Sequence, residues 1–508
     1  MNFFRPLARA VLACATACAC LLANAALTPN QAAALADKVE AGDQTALKTL
    51  TAQAQGGNAI AQFQLGALYV GGKGVARDYA QAVQWFRKAA EQGDADAQNS
   101  LGARYEHGQG VAQDYAQAAQ WYRKAAGQGN ANGQYNLGRF YNNGYGVARD
   151  YAQAVQWFRK AAGQGDADAQ NSLGARHEHG QGVAQDYAQA AQWYRKAAEQ
   201  GDANGQYNLG RFYDNGYGVA QDYAQAERWY RKAAAQGDAD AQNNLGALYD
   251  DGHGVAQDYA QAMQWYRKAA EQGNANGQFN LGALYAKGHG VARDYAQAVQ
   301  WFRKAAGQGD ADAQNSLGAR HEYGQGVAQD YAQAAQWYRK AAEQGNANGQ
   351  YNLGRFYDNG QGVARDHAQA AQWYRKAAAQ GDANAQNNLG ALYGSGQGVA
   401  RDDGQALRWF RKAAEQGNAI GLKNLGDFYA NGRGAARSKV AAFVLYKLSA
   451  LNDSSGDKEA ANQRAEMASS MSDEEIKDGL ALVRKLREAG HSLQPLDEYL
   501  AARGAGGR

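Results

Sequence analysis

From residue 58 onward, apolar and polar positions follow one pattern that returns every 36 residues. Within residues 94–129, Ala97, Leu101 and Tyr105 form an apolar stripe at helical period. After a glycine-rich gap, Ala118, Trp121, Tyr122, Ala125 and Ala126 fall at i, i+3, i+4, i+7 and i+8, the pattern of a buried helical face. Two such helices joined by a short turn make an αα-hairpin, with alanines that allow close approach and aromatics that fill the gaps between copies. A single hairpin buries too little alone, so its copies must stack on their neighbours. All ten tryptophans keep the same phase, from Trp85 to Trp409.

The polar positions supply the punctuation. Asp94 and Asp114 stand where a side-chain oxygen can cap the first turn of each helix. Gly108 and Gly110 bracket the turn, Val111 plugs it, and Gly129 ends the second helix. Arg123 and Lys124 lie where positive charge favours a helix C-terminus. A glycine follows the stripe leucine in every copy, from Gly66 through Gly102 to Gly426. Mid-helix glycine costs roughly 1 kcal/mol against alanine, so its recurrence predicts a neighbouring helix backbone passing too close for a side chain. First-helix starts recur at Asn58, Asp94, Asn130, Asp166, Asp202, Asp238, Asn274, Asp310, Asn346, Asp382 and Asn418. In the last copy, Leu445 replaces the tryptophan and Ser438 the capping aspartate.

An LG pair in the first helix, GxGV in the turn and DYAQAxxWYRKAAxQG in the second helix, as at Asp114 to Gly129, resemble the Sel1-like repeat, a relative of the tetratricopeptide repeat. The resemblance covers roughly residues 58–451. It implies an all-α, right-handed α/α superhelical solenoid of about eleven 36-residue repeats. It also implies an adaptor, because family members in bacterial envelopes act as scaffolds and some engage host proteins. Cysteine-rich members have been associated with β-lactam or peptidoglycan hydrolysis, but the paired cysteines of that group are missing here.

The ends read differently. Residues 1–25 form a secretory signal: Arg5 and Arg9, an apolar run over 10–23, and an Ala23-Asn24-Ala25 cleavage site. All three cysteines, Cys14, Cys18 and Cys20, lie inside it, in poor lipobox contexts, so cleavage near Ala25 is favoured over lipidation. Residues 26–57 form an N-terminal helical cap, with helices over 31–40 and 45–55. Residues 452–508 form a C-terminal cap, with helices over 457–470 and 473–489, a capping box at Ser472 and Glu475, and a frayed tail from Arg503.

Composition narrows the chemistry. A formal net charge of +3 is close to neutral, closer still once Arg5 and Arg9 leave, and each Arg-Lys pair shares its repeat with aspartates. Nucleic acid is therefore an unexpected partner, and no later apolar run is long enough for membrane insertion. His177 and His179 flank Glu178, but two residues apart on a helix they point in different directions, so neither a metal nor another cofactor is expected. Ser455 to Lys458 matches S-x-x-K, without S-D-N or K-T-G elsewhere.

Alternate repeats are more alike than adjacent ones. Those from 94, 166 and 310 share DADAQNSLGAR, and those from 130, 202 and 346 share ANGQYNLGRFY. Variation concentrates at the end of the first helix, where Arg104 is replaced by Phe140, Arg176, Phe212, Leu248, Leu284, Arg320, Phe356 and Leu392. Arginine and aromatic residues dominate binding hot spots. The sharpest expectation is that Arg139, Phe140, Arg211, Phe212, Arg355 and Phe356 line a groove for a protein segment. The alternative places the phenylalanines in the inter-repeat core and the arginines on a solvated face. The function expected is an exported, periplasmic or secreted, monomeric and non-enzymatic scaffold for an envelope or host protein. A host-binding virulence factor is one variant, and a hydrolase of β-lactams or peptidoglycan the rival.

Overall fold

The computed structural model describes residues 27–453 and 458–505. Among the described residues there are 27 helices and no strands. They fall into two compact bodies, one ending at Gln257 and the other beginning at Asp258. Each is a stack of antiparallel helix pairs. The expected signal segment lies outside the described residues.

The repeat at 94–129 shows how the local chemistry sets the hairpin. Its first helix runs Ala95–His107, and the Asp94 carboxylate accepts from the Ala97 N–H at 2.7 Å. Gly108 then turns left-handed at φ 64°, and its N–H donates to the Arg104 carbonyl. The second helix runs Tyr115–Gly127, with Asp114 accepting from Ala116 and Gln117 N–H. Ala97, Leu101, Ala118, Tyr122, Ala125 and Ala126 are buried, and Trp121 is half-buried.

The glycine after the stripe leucine has a different cause from the one its recurrence predicts. A Cβ on Gly102 would stand 2.8 Å from two ring carbons of Tyr122, while the nearest backbone atom, the Ala118 carbonyl oxygen, would be 3.3 Å away. The ring of the second helix lies flat against Gly102, so an aromatic side chain fills the space. Phe86, Phe158 and Tyr194 do the same at Gly66, Gly138 and Gly174.

A buried glutamine also recurs that the apolar pattern hides. Gln98 is 4% exposed; its amide donates to the Ala90 carbonyl of the preceding repeat at 3.0 Å and accepts from Gln128 at 2.8 Å. Ala90 lies in the last turn of its helix, where carbonyls lack an intrahelical partner. That carbonyl also accepts from the Gly93 N–H at 3.1 Å, so the glutamine adds a second bond to the helix end and ties one repeat to the next.

At the N-terminal end, helices Pro29–Glu40 and Gln44–Gln55 cover the first hairpin, the former opened by a Thr28 and Gln31 capping box. At the far end come Glu459–Ser469 and Asp473–Glu488, the latter with the Ser472 and Glu475 box in place. A further helix, Gln494–Ala505, continues through Arg503, where a frayed tail was expected. Leu445, in the tryptophan position, is fully buried in a cluster with Phe443, Leu482, Leu486 and Leu496.

Candidate binding face

The three phenylalanines expected on a groove are core residues. Phe140, Phe212 and Phe356 have no accessible surface. Phe140 packs edge-on against Tyr122 of the preceding repeat, with centroids 5.0 Å apart, and Phe212 and Phe356 meet Tyr194 and Tyr338 in the same way at 5.1 Å. Where this position is arginine, the guanidinium lies over the tyrosine that opens the preceding second helix: Arg104 over Tyr79, Arg176 over Tyr151 and Arg320 over Tyr295. The variation at this phase is a set of fillings for an inter-repeat slot.

The arginines beside the phenylalanines do not point freely into solvent. Arg139 Nη2 reaches both carboxylate oxygens of Glu106, at 2.6 and 2.7 Å, and the Tyr122 hydroxyl donates to the same carboxylate at 2.6 Å. Glu106 is nearly enclosed, while about a third of the Arg139 side chain is exposed. Glu178, Tyr194 and Arg211 repeat the arrangement, as do Glu322, Tyr338 and Arg355. Burial works against the charge of Arg211 and Arg355, yet the hydrogen bond and charge of their glutamates hold both above the ordinary arginine value. Each arginine thus ties its repeat to the one before.

The pairing was open to a different reading of the sequence. A glutamate in one repeat is followed 33 residues later by arginine in all three cases, and full repeats not preceded by that glutamate carry alanine at the arginine position. Truncating Arg139 to alanine leaves a buried carboxylate with the Tyr122 hydroxyl as its remaining partner. The expected loss is about 2–3 kcal/mol, below the full value for a buried pair because Arg139 is part-exposed. A double-mutant cycle with Glu106→Gln in urea unfolding measures the coupling; a cost below about 0.5 kcal/mol would mark an ordinary surface pair.

Burial, followed by hydrogen bonding to the glutamates, also pushes the Tyr122, Tyr194 and Tyr338 phenols well above their ordinary range; at Tyr230 and Tyr374, burial again leads. The fold holds these phenols neutral while the unfolded chain ionises near pH 10. Their contribution is therefore fully present below about pH 10 and declines as pH rises through the folded values. Urea midpoints should fall steeply above about pH 10, and tyrosinate absorbance should appear together with loss of helical circular dichroism. Tyrosinate appearing while the helices persist would contradict this.

At two turns of the first body the exposed aromatic residues are tyrosines. Tyr115, which opens one second helix, stacks on Tyr145, between the turn glycines of the next repeat, at 5.2 Å and 22°. Tyr187 and Tyr217 repeat the pair at 5.4 Å and 23°, and all four rings are 38–40% exposed. Histidine takes the turn position over Tyr223, as His253, and in the second body over Tyr259, as His289. These histidines are stacking partners, and burial lowers the proton affinity of His177 and His321. Among the described residues no group of three potential metal ligands occurs. Ser455 of the S-x-x-K match lies outside the described residues.

The Sel1 repeat family model matches eleven consecutive segments, from residues 59–94 to 419–454. The crystal structure of c5321, described as a protective antigen of uropathogenic Escherichia coli with an SLR fold, is 41% identical; the match covers 87% of this chain and 94% of that one, with a TM-score of 0.76. A Sel1 repeat protein from Oxalobacter formigenes is 35% identical over 61% of this chain and 89% of its own, with a TM-score of 0.48. No curated protein matches the chain.

Proposed function

Because the chain belongs to the Sel1 repeat family, we propose that it is an exported, non-enzymatic scaffold that binds a protein partner along its stacked repeats, in the periplasm or outside the cell. The observation that carries the reading is the row of exposed tyrosine pairs, Tyr115 with Tyr145 and Tyr187 with Tyr217, at equivalent turns of the first body. Tyrosine presents large rigid area with a polar tip, which suits protein recognition. The part-exposed heads of Arg139 and Arg211, and of Arg355 in the second body, add planar donors at the ends of first helices. Export rests on the leader-like first 25 residues. Among the described residues no helix is long and apolar enough to cross a membrane. The likeness to a bacterial protective antigen supports a host-facing partner as much as an envelope one.

The test is a cross-linked pull-down from envelope extract and from host serum. Wild type is compared with a variant carrying Tyr115→Ala, Tyr145→Ala, Tyr187→Ala and Tyr217→Ala, both shown folded by circular dichroism. A protein held by wild type and lost by the variant establishes the face. Equal capture by both removes the tyrosine pairs from the function, and no capture from either source removes the scaffold reading.

A further inference from the structure

The near-neutral charge of the chain conceals a segregation of charge between its two helix layers. In the first body, the second helices Tyr79–Glu91, Tyr115–Gly127, Tyr151–Gly163, Tyr187–Glu199 and Tyr223–Ala235 carry eleven lysines and arginines against three carboxylates, Glu91, Glu199 and Glu227. The first helices from Ala59–Gly71 to Ala239–Asp251 carry eight carboxylates against four arginines. Aspartates do share a repeat with each Arg-Lys pair, as the sequence suggests, yet among the described residues of this body the only ion pair on a second helix is Arg231 with Glu227.

Nine of the eleven cations have a fixed seat instead. Lys88, Lys124, Lys160, Lys196 and Lys232 are exposed, with Nζ 4.0–4.3 Å from the centroid of the tryptophan three residues earlier. The neighbouring Arg87, Arg123, Arg195 and Arg231 each donate to a tyrosine hydroxyl of the next repeat. An exposed glutamine precedes the tryptophan in four of the five repeats, as at Gln120. An indole and two cations therefore recur together at every step, with an amide beside them in four of the five.

We infer that the second-helix surface of the first body is a binding site for a linear acidic polysaccharide, separate from the tyrosine-bearing turns. The lysines and arginines meet its sulfate or carboxylate groups, the part-exposed indole edges of Trp121, Trp157, Trp193 and Trp229 meet the sugar rings, and the glutamine amides meet hydroxyls. Trp85 is buried and only seats its lysine. A repeating polymer matches a repeating surface, so affinity accumulates over several weak contacts. Base stacking on nucleic acid needs open aromatic faces, whereas here a lysine covers one face of each indole. Membrane adsorption needs an exposed apolar face, and the exposed large rings of these helices, Tyr115 and Tyr187, stand at their opposite ends.

Heparin is the probe, used with the full chain. Wild type should be retained on immobilised heparin at about 0.15 M salt, released as salt rises, and show a tryptophan fluorescence change on adding soluble heparin. A variant with all five lysines changed to glutamine should bind at least about tenfold more weakly, and one with the same lysines changed to arginine should keep its affinity, both with unchanged circular dichroism. No retention of wild type, equal retention of the glutamine variant, or loss in the arginine variant would overturn the assignment. So would binding of duplex DNA or anionic lipid vesicles as tight as that of heparin.

Discussion

Replacing Phe140 with alanine is expected to destabilise the repeats around it by about 3–5 kcal/mol. The ring has no accessible surface and is enclosed by Tyr122, Tyr115 and Tyr145, all in edge-on contact. Removing it opens a cavity between two repeats that are held to each other mainly by such contacts, so the loss falls on the interface as well as on one helix. Phe140→Leu should cost less than about 1.5 kcal/mol, because the same slot holds Leu248, Leu284 and Leu392 in other repeats, each nearly inaccessible. An array can unfold in segments, so amide hydrogen exchange across residues 115–145 is the sharper measurement beside urea unfolding. A Phe140→Ala protein with unchanged exchange there, but with weakened partner capture, would restore the phenylalanine to a binding face.

The second large effect is expected at the turn. In Gly110→Ala the new Cβ would lie 2.2 Å from the Tyr79 carbonyl oxygen and 2.8 Å from the Ala80 nitrogen, at φ 75°. Both obstacles are backbone atoms at the start of the preceding repeat's second helix, so no rotamer change relieves them. Left-handed strain of about 1–2 kcal/mol adds to the collision, for a total on the order of 3–4 kcal/mol. Gly129→Ala separates the two causes: its φ is 90°, but a Cβ there meets nothing within 4 Å. Its cost should be the strain alone, about 1–2 kcal/mol. Equal losses in the two variants would show that the turn does not press on its neighbour as described.

The hairpins, their caps and their turns were legible residue by residue, because each depends on neighbours close in sequence. Asp94 and Asp114 cap, Gly108 turns left-handed, and the alanine and leucine stripes are buried by rules that act within a few residues. Helical period shows that one stripe of a helix is covered. In a stack, however, a helix meets its own partner on one side and the adjoining repeat on another, and the second contact lies outside that stripe. Phe140 sits in that second contact, so its apolar character and its variation looked like those of a surface residue.

The same reason separates the charged positions. Glu106 and Arg139 stand 33 residues apart and become partners only when successive repeats pack, and then in a nearly closed site. Net charge could not reveal that first helices collect carboxylates while second helices hold lysines over indoles, because it sums over surfaces that the fold separates. What the sequence by itself determined was the repeating hairpin and its family, since local periodicity and capping are encoded within each copy. The tertiary structure alone decided which variable residues face solvent, which fill the slots between repeats and which charges are paired, since those outcomes depend on atoms brought together by stacking.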